Sequence, residues 1–236
     1  MGRDLHGKQR RYRDSKPTMD LAGCQVFFDF DNTITSFDVL DDLIARFSVD
    51  KEWQGWEKKW QAGKIGSHKC LREQFKSVRI GKDDLRKYLS HIKIDPYFLV
   101  LLREFKDNNI QSVIVSDSFL PLIAAILESN KVKGLKIYAN RLRLVNNRLI
   151  PFFPYKNETC SRYCGHCKKD TLLQRVSNGK TRVYIGDGSS DICPSRHADL
   201  VFAKEHLWQK WAGPRKQCIP IQSLRDVYHY FKKALP

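Results

Sequence analysis

The chain predicts an α/β fold, a Rossmann-like three-layer sandwich with a mainly parallel sheet and an inserted helical cap. Three observations predict it. Short, largely apolar runs rich in β-branched and aromatic residues occur at Cys24–Phe28, Ile110–Val115 and Thr181–Ile185, which is how strands buried on both faces read. Each run opens into a polar turn: Asp29-Phe30-Asp31-Asn32-Thr33, Ser116-Asp117-Ser118, and Gly186-Asp187-Gly188-Ser189-Ser190-Asp191. Helical patterns separate the runs, as in βαβ units.

Taken in order, residues 1–18 are polar and basic, with six Lys or Arg against two Asp, and read as a disordered extension. The core domain is expected over 19–37 and again over 110–236. Between the first two strands the chain is too long for a crossover helix, so 38–109 forms a helical cap. Its helices are expected over Val39–Phe47, Lys51–Gln61, Ser67–Val78 and Lys82–His91. Asp95-Pro96 is a capped start for a further helix to Lys106, which belongs to either the cap or the core. After the second strand come a helix at Leu120–Ser129 and an alternating segment, Asn140–Ile150, that turns at Asn146-Asn147 as a β-hairpin. Helices at Lys168–Val176, His206–Trp211 and Leu224–Lys233, with short strands at Leu200–Ala203 and Cys218–Ile221, complete the sandwich.

The strand ends carry the chemistry. Residues i and i+2 of an extended chain project to one side, so Asp29 and Asp31 face one crevice. Open α/β sheets place their sites where strands end. Close carboxylates repel unless a cation lies between them or one keeps a proton, and Mg²⁺ suits an all-oxygen donor set. Ser116 and nearby amides, Lys168 at the start of a helix, and Asp187 with Asp191 converge from the other strand ends.

In order, Asp29-x-Asp31-x-Thr33, Ser116, Lys168 and Gly186-Asp187-x-x-x-Asp191 resemble the four motifs of the haloacid dehalogenase superfamily of phosphatases, a resemblance that runs from about Cys24 to the C-terminus. The cap position is similar to that of the phosphoserine phosphatase-like subfamily. Cys164-Gly-His-Cys167-Lys168 and Gly-Asp-Gly-x-Ser-Asp-x-Cys-Pro look closest to the methionine-salvage 2-hydroxy-3-keto-5-methylthiopentenyl-1-phosphate phosphatase type, related to phosphocholine and phosphoethanolamine phosphatases. The resemblance implies a phosphoric monoester hydrolase that forms an aspartyl-phosphate on Asp29, with Asp31 as acid and base. Asp29, Asp187 and the Asp31 carbonyl would hold Mg²⁺. It further implies that Ser116 and Lys168 bind phosphate and Asp191 orients Lys168 or the metal's waters, while Thr33 steadies the turn. Lys169 is the rival for the motif lysine. Asp31 argues against dehalogenation, because a departing halide needs no proton. Asp117 stands where phosphoserine phosphatases carry Gly, so phosphoserine itself is in doubt. Asp38 stands where they carry a Glu that meets the substrate amine, although an Asp there also caps a helix.

Other features have two readings. Trp53, Trp56 and Trp60 make one helical stripe, either cap core or the lining of a substrate pocket. Cys160, Cys164, His166 and Cys167 offer four soft ligands to zinc, yet their spacing lacks paired C-x-x-C steps and favours a loop that positions Lys168. Seven cysteines, an odd number, argue for thiols rather than a disulfide framework. A net charge of +16 admits nucleic acid as a partner, but no nucleic-acid-binding signature accompanies it. The expected partner is a small phosphorylated metabolite, with no membrane involved. A phosphatase of nucleic-acid ends or a basic nucleic-acid binder is the alternative. The N-terminus lacks a signal-peptide apolar run, and a cytoplasmic location is expected. Oligomeric state is not legible.

Overall fold

Seven strands, β1 (Gln25–Phe28), β2 (Gln111–Phe119), β3 (Lys136–Val145), β4 (Arg148–Phe152), β5 (Arg182–Gly186), β6 (Leu200–Ala203) and β7 (Cys218–Pro220), form one sheet in the order β4-β3-β2-β1-β5-β6-β7. All neighbours are parallel except the β3–β4 hairpin. The structure is a computed structural model and describes residues 21–177, 179–211 and 217–235. The basic extension at 1–18 lies outside the described residues.

Strand pleating divides the interior into two layers. Val26, Phe28, Ile114, Val183, Ile185 and Phe202 point into one cluster with Leu101, Phe105, Ile123 and Phe231. Phe27, Val113, Val115, Tyr184 and Val201 point the other way, onto Leu172 and Leu207. Helices cover both faces, which is the three-layer sandwich.

Helices α1 (Val39–Phe47), α2 (Glu52–Gln61), α3 (Ser67–Gln74) and α4 (Lys82–Ser90) come between β1 and β2, followed by α5 (Pro96–Asp107). Asp95 caps α5 by accepting from Tyr97 N, and its other carboxylate oxygen accepts from Leu224 N. α5 packs on β2 and on α10 (Leu224–Ala234). α3 ends four residues earlier than its pattern suggests because Val78 leaves the helix to bridge Ser48. The remaining helices are α6 (Leu120–Ser129), α7 (Lys168–Arg175), the single turn α8 (Ile192–Ser195) and α9 (Glu205–Lys210).

Two departures matter for the site. The second apolar run does not turn at Ser116: β2 continues to Phe119, with a register shift against β3 between Ser116 and Phe119. The hairpin begins at Lys136, ahead of its expected start, and turns at Asn146 and Asn147, both left-handed, as a type I′ connection requires. β1 pairs with β2 on one side and β5 on the other, so the chain reverses its direction of progress across the sheet at β1. The crevice at such a switch point lies beyond the carboxyl end of β1, where Asp29 begins.

Candidate active site

Asp29 leaves β1 with its amide still bonded to Ile185 O at 2.9 Å, so the sheet fixes its backbone. The residue is 5% exposed. The next residues wind into a turn in which Ile34 N and Thr35 N both donate to Phe30 O and Asn32 adopts φ 54°, a conformation Asn tolerates well. The Asp31 carboxylate accepts from Val39 N at 2.9 Å, tying the turn to the start of α1. Thr33 N donates to Phe30 O at 3.3 Å within the turn, while its buried hydroxyl has no hydrogen-bond partner. The Thr35 hydroxyl also braces the turn, donating to Phe37 O at 2.8 Å and Phe30 O at 3.3 Å.

Lys168, 3% exposed at the first position of α7, reaches Asp29 Oδ1 at 2.7 Å, Asp191 Oδ1 at 2.8 Å and Ser190 Oγ at 3.0 Å. Lys169 pairs instead with Asp170, away from Asp29 and Asp191. Asp191 spends every lone-pair direction locally. Its Oδ1 accepts from Lys168 and from Tyr184 Oη at 2.7 Å, and its Oδ2 accepts from the amides of Asp187 and Gly188, both at 3.0 Å. Gly186 makes this possible, since a Cβ there would lie 2.6 Å from Asp191 Oδ2.

Ser116 is buried and accepts from Ser118 N at 3.0 Å, leaving its hydroxyl proton free for another acceptor. The β2 bulge is braced by Asn140, which donates to Asp117 O at 2.7 Å. His166 engages Ser116 O at 3.0 Å through Nδ1 and Thr171 Oγ1 at 2.7 Å through Nε2. With both nitrogens occupied it is a strut between the serine turn and α7, and among the described residues the side chains grouped closely enough to hold an ion are Asp29, Asp187 and Asp191, not those of the cysteine loop. Burial, aided by Lys168, lowers its pKa to about 3, so it stays neutral.

The electrostatics follow from one buried lysine among several carboxylates. Burial pushes the Asp29 pKa well up, and Asp191 adds to this against the pull of Lys168. Burial and then Asp38 push Asp31 well up. Burial and Asp191 lift Asp187 to about 6. For Asp191 burial also opposes ionisation, but Lys168 and the hydrogen bonds it accepts prevail and hold it low. Carboxylate oxygens of Asp29 and Asp187 lie within 4.8 Å of each other, a spacing at which like charges repel unless a cation or a proton lies between them.

One oxygen from each of Asp29, Asp187 and Asp191 lies within 4.8 Å of the others. An all-carboxylate donor set of this kind fits a hard divalent cation such as Mg²⁺. Asp191 is already saturated by donors, so Asp29 and Asp187 are the side chains with capacity to spare.

These groups open onto a cavity of about 780 Å³ walled on the far side by α1, α2 and α3. Asp38 does two things: it caps α1, accepting from Asp41 N at 2.9 Å, and it lines this cavity. Asp117 also lines it, with Oδ2 accepting from Ser67 at 3.2 Å. The tryptophan stripe divides its duties. Trp53 packs on the core, Trp56 lies against Lys59 and Lys69, and Trp60 lines the cavity; none is fully buried. Tyr184, Ser190, Asn140 and Lys204 were not foreseen from the sequence. Lys204 donates through Nζ to Asn32 O and through its amide to Gly186 O at 3.0 Å, linking the two acidic turns.

Comparison with known proteins agrees with this geometry. A curated relative from Bacillus mycoides, named 2-hydroxy-3-keto-5-methylthiopentenyl-1-phosphate phosphatase, is 26% identical over 218 residues, covering 89% of this chain and 97% of its own. A haloacid dehalogenase family hydrolase from Salmonella enterica serovar Typhi shares the fold with TM-score 0.74 at 16% identity, over 93% of this chain and 75% of that one. A phosphoserine phosphatase solved as a phospho-aspartyl intermediate analogue superposes with TM-score 0.66 at 22% identity, covering 88% and 98%. The model of the family described as Putative Phosphatase matches residues 24–211, the span that holds every strand end and side chain of this site; the chain belongs to that family, within the haloacid dehalogenase superfamily.

Proposed function

We propose that the protein is a Mg²⁺-dependent phosphatase that hydrolyses a small phosphorylated metabolite through an aspartyl-phosphate on Asp29. The observation that carries this reading is the buried Lys168 held between Asp29 and Asp191 at 2.7 and 2.8 Å, one fixed cation where a phosphoryl group would meet a carboxylate. An Asp29 oxygen attacks phosphorus, and the ester P–O bond breaks. The departing alkoxide takes the proton of Asp31, which burial keeps available. Asp31 then accepts a proton from water as that water attacks phosphorus, the Asp29–phosphorus bond breaks, and inorganic phosphate leaves. Lys168, the Ser116 hydroxyl and nearby amides would hold the phosphoryl oxygens. Asp29, Asp187 and the Asp31 carbonyl would hold Mg²⁺, which would supply the remaining countercharge. Asp191 fixes Lys168.

The walls supplied by α1, α2 and α3 support a small substrate over a nucleic-acid end, because a polymer needs an open face. Among the described residues no helix is long and apolar enough to cross a membrane. The test is phosphate release from a panel of metabolite phosphates with Mg²⁺ and with EDTA. The panel includes phosphoserine, phosphocholine, sugar phosphates and the compound named for the Bacillus relative. Preference for one small ester, lost in EDTA, is expected; activity confined to polynucleotide ends would overturn the reading.

A stability measurement probes the same site without turnover. In the metal-free protein, Asp29, Asp31 and Asp187 keep their protons above the usual range, Asp187 to about 6. Between about pH 4, where unfolded aspartates titrate, and about pH 6, the folded state binds more protons than the unfolded one. Metal-free stability therefore falls as pH rises through that window. Added Mg²⁺ favours the ionised carboxylates, so it should raise Tm more at about pH 7.5 than at about pH 5. Equal shifts at both pH values in scanning fluorimetry would contradict this.

A further inference from the structure

Much of the chain's positive charge has no part in the site above. From Lys131 to Lys156 there are seven Lys or Arg and no Asp or Glu, although the chain has 26 acidic residues in all. That stretch builds the β3–β4 hairpin at the edge of the sheet. Strand alternation gives the hairpin two faces. Leu142, Leu144 and Leu149 turn inward onto the core. The outward face consists of Arg141, Arg143 and Val145 on β3 with Arg148, Ile150 and Phe152 on β4, all six exposed. Of the seven large apolar or aromatic side chains exposed among the described residues, three stand on this one face.

The register sets an arginine opposite an apolar residue at each step: Arg141 with Phe152, Arg143 with Ile150, and Arg148 with Val145. Among the described residues, none of the three arginines has a carboxylate within 4.0 Å. What fits this face is anionic and also accepts apolar side chains. A second copy of the chain brings the same arginines and is repelled, and the basic extension at 1–18 fails for the same reason. Nucleic acid supplies phosphates, but its interfaces are polar and give Val145 and Ile150 little to bury against. The ring that could stack on a base, Phe152, has Arg143 over it at 5.1 Å. An anionic bilayer meets both needs, with phosphate and carboxylate head groups for the guanidinium forks and an acyl boundary beneath them for apolar side chains.

We propose that the outward face of the β3–β4 hairpin docks the protein on anionic phospholipid, with Arg141, Arg143 and Arg148 among the head groups and Val145, Ile150 and Phe152 in the acyl boundary. The contact is peripheral, and it departs from the sequence expectation that no membrane is involved. None of the six residues lines the cavity above Asp29, so docking leaves the site's walls in place.

The test is co-sedimentation of the full chain with vesicles of phosphatidylcholine alone or with about 30% phosphatidylserine, at about 0.1 M salt. Anionic vesicles should bind about tenfold or more tightly than neutral ones. Arg141→Ser, Arg143→Ser and Arg148→Ser together should weaken that binding by about 100-fold, and Ile150→Ser with Phe152→Ser by about tenfold at unchanged charge. Lys51→Ser, Arg103→Ser and Lys106→Ser together remove the same charge from exposed positions elsewhere and should leave most of the binding. Tm reports whether each variant is folded, and Arg148→Glu alone, expected to cost about tenfold, replaces the hairpin triple if that variant melts early. Absence of binding to anionic vesicles, equal binding to neutral ones, or equal losses in the hairpin and control triples would overturn the proposal. Full binding by the Ile150 and Phe152 variant would also overturn it, as would a nucleic-acid duplex held by the same arginines while vesicles stay unbound.

Discussion

Asp29→Asn is expected to lower phosphate release by about 10⁴-fold or more while the protein stays folded. The amide has the shape of the carboxylate but cannot attack phosphorus. Folding should tolerate the change because burial already disfavours charge on Asp29, and Lys168 keeps Asp191 at 2.8 Å. Phosphate assay together with thermal melting checks both halves. Activity within tenfold of wild type would remove Asp29 from the mechanism.

Lys168→Met should differ in kind, losing stability as well as activity. The lysine is the cation between Asp29 and Asp191, and both partners are almost fully buried. Removing one member of such a group leaves uncompensated charge and typically costs about 3–5 kcal/mol, part of which Asp29 recovers by taking a proton. Lys169→Ala, next door but solvated and paired only with Asp170, should change neither Tm nor turnover appreciably. Similar behaviour of the two variants in melting and turnover would contradict the assignment.

The parts of the site legible in the sequence were those tied to strand ends. A buried apolar run marks where a strand stops, and carboxylates two residues apart then share a side, so Asp29, Asp31 and Asp187 are legible at strand ends, whereas the run before Ser116 misleads because β2 continues to Phe119. Lys168 was legible only with its neighbours, since a helix N-terminus offers two adjacent lysines and burial alone separates them. The braces were not legible. Tyr184 reads as one more apolar residue of β5, and only the turn of Gly186–Asp191 back over the strand sets its hydroxyl on Asp191. His166 sits among cysteines that suggest metal, yet its partners are a backbone oxygen and a threonine brought in by tertiary packing. Thr35 as a brace was not legible for a similar reason: the turn's hydrogen bonding, invisible in residue type, decides which hydroxyl finds a carbonyl. The tryptophan stripe has helical period but lies on a helix with no fully buried residue, so period alone could not tell core from cavity.

The most direct test is to look for the phosphoryl group on Asp29. Asp31→Asn protein is mixed with Mg²⁺ and p-nitrophenyl phosphate, an ester whose leaving group needs no proton. It is then quenched in acid and digested for mass spectrometry. Loss of the base should slow hydrolysis of the intermediate more than its formation, giving a burst of p-nitrophenol and a phosphorylated peptide containing Asp29. Phosphate release with no burst and no modified Asp29 peptide, in wild type and variant alike, would contradict covalent catalysis at this residue.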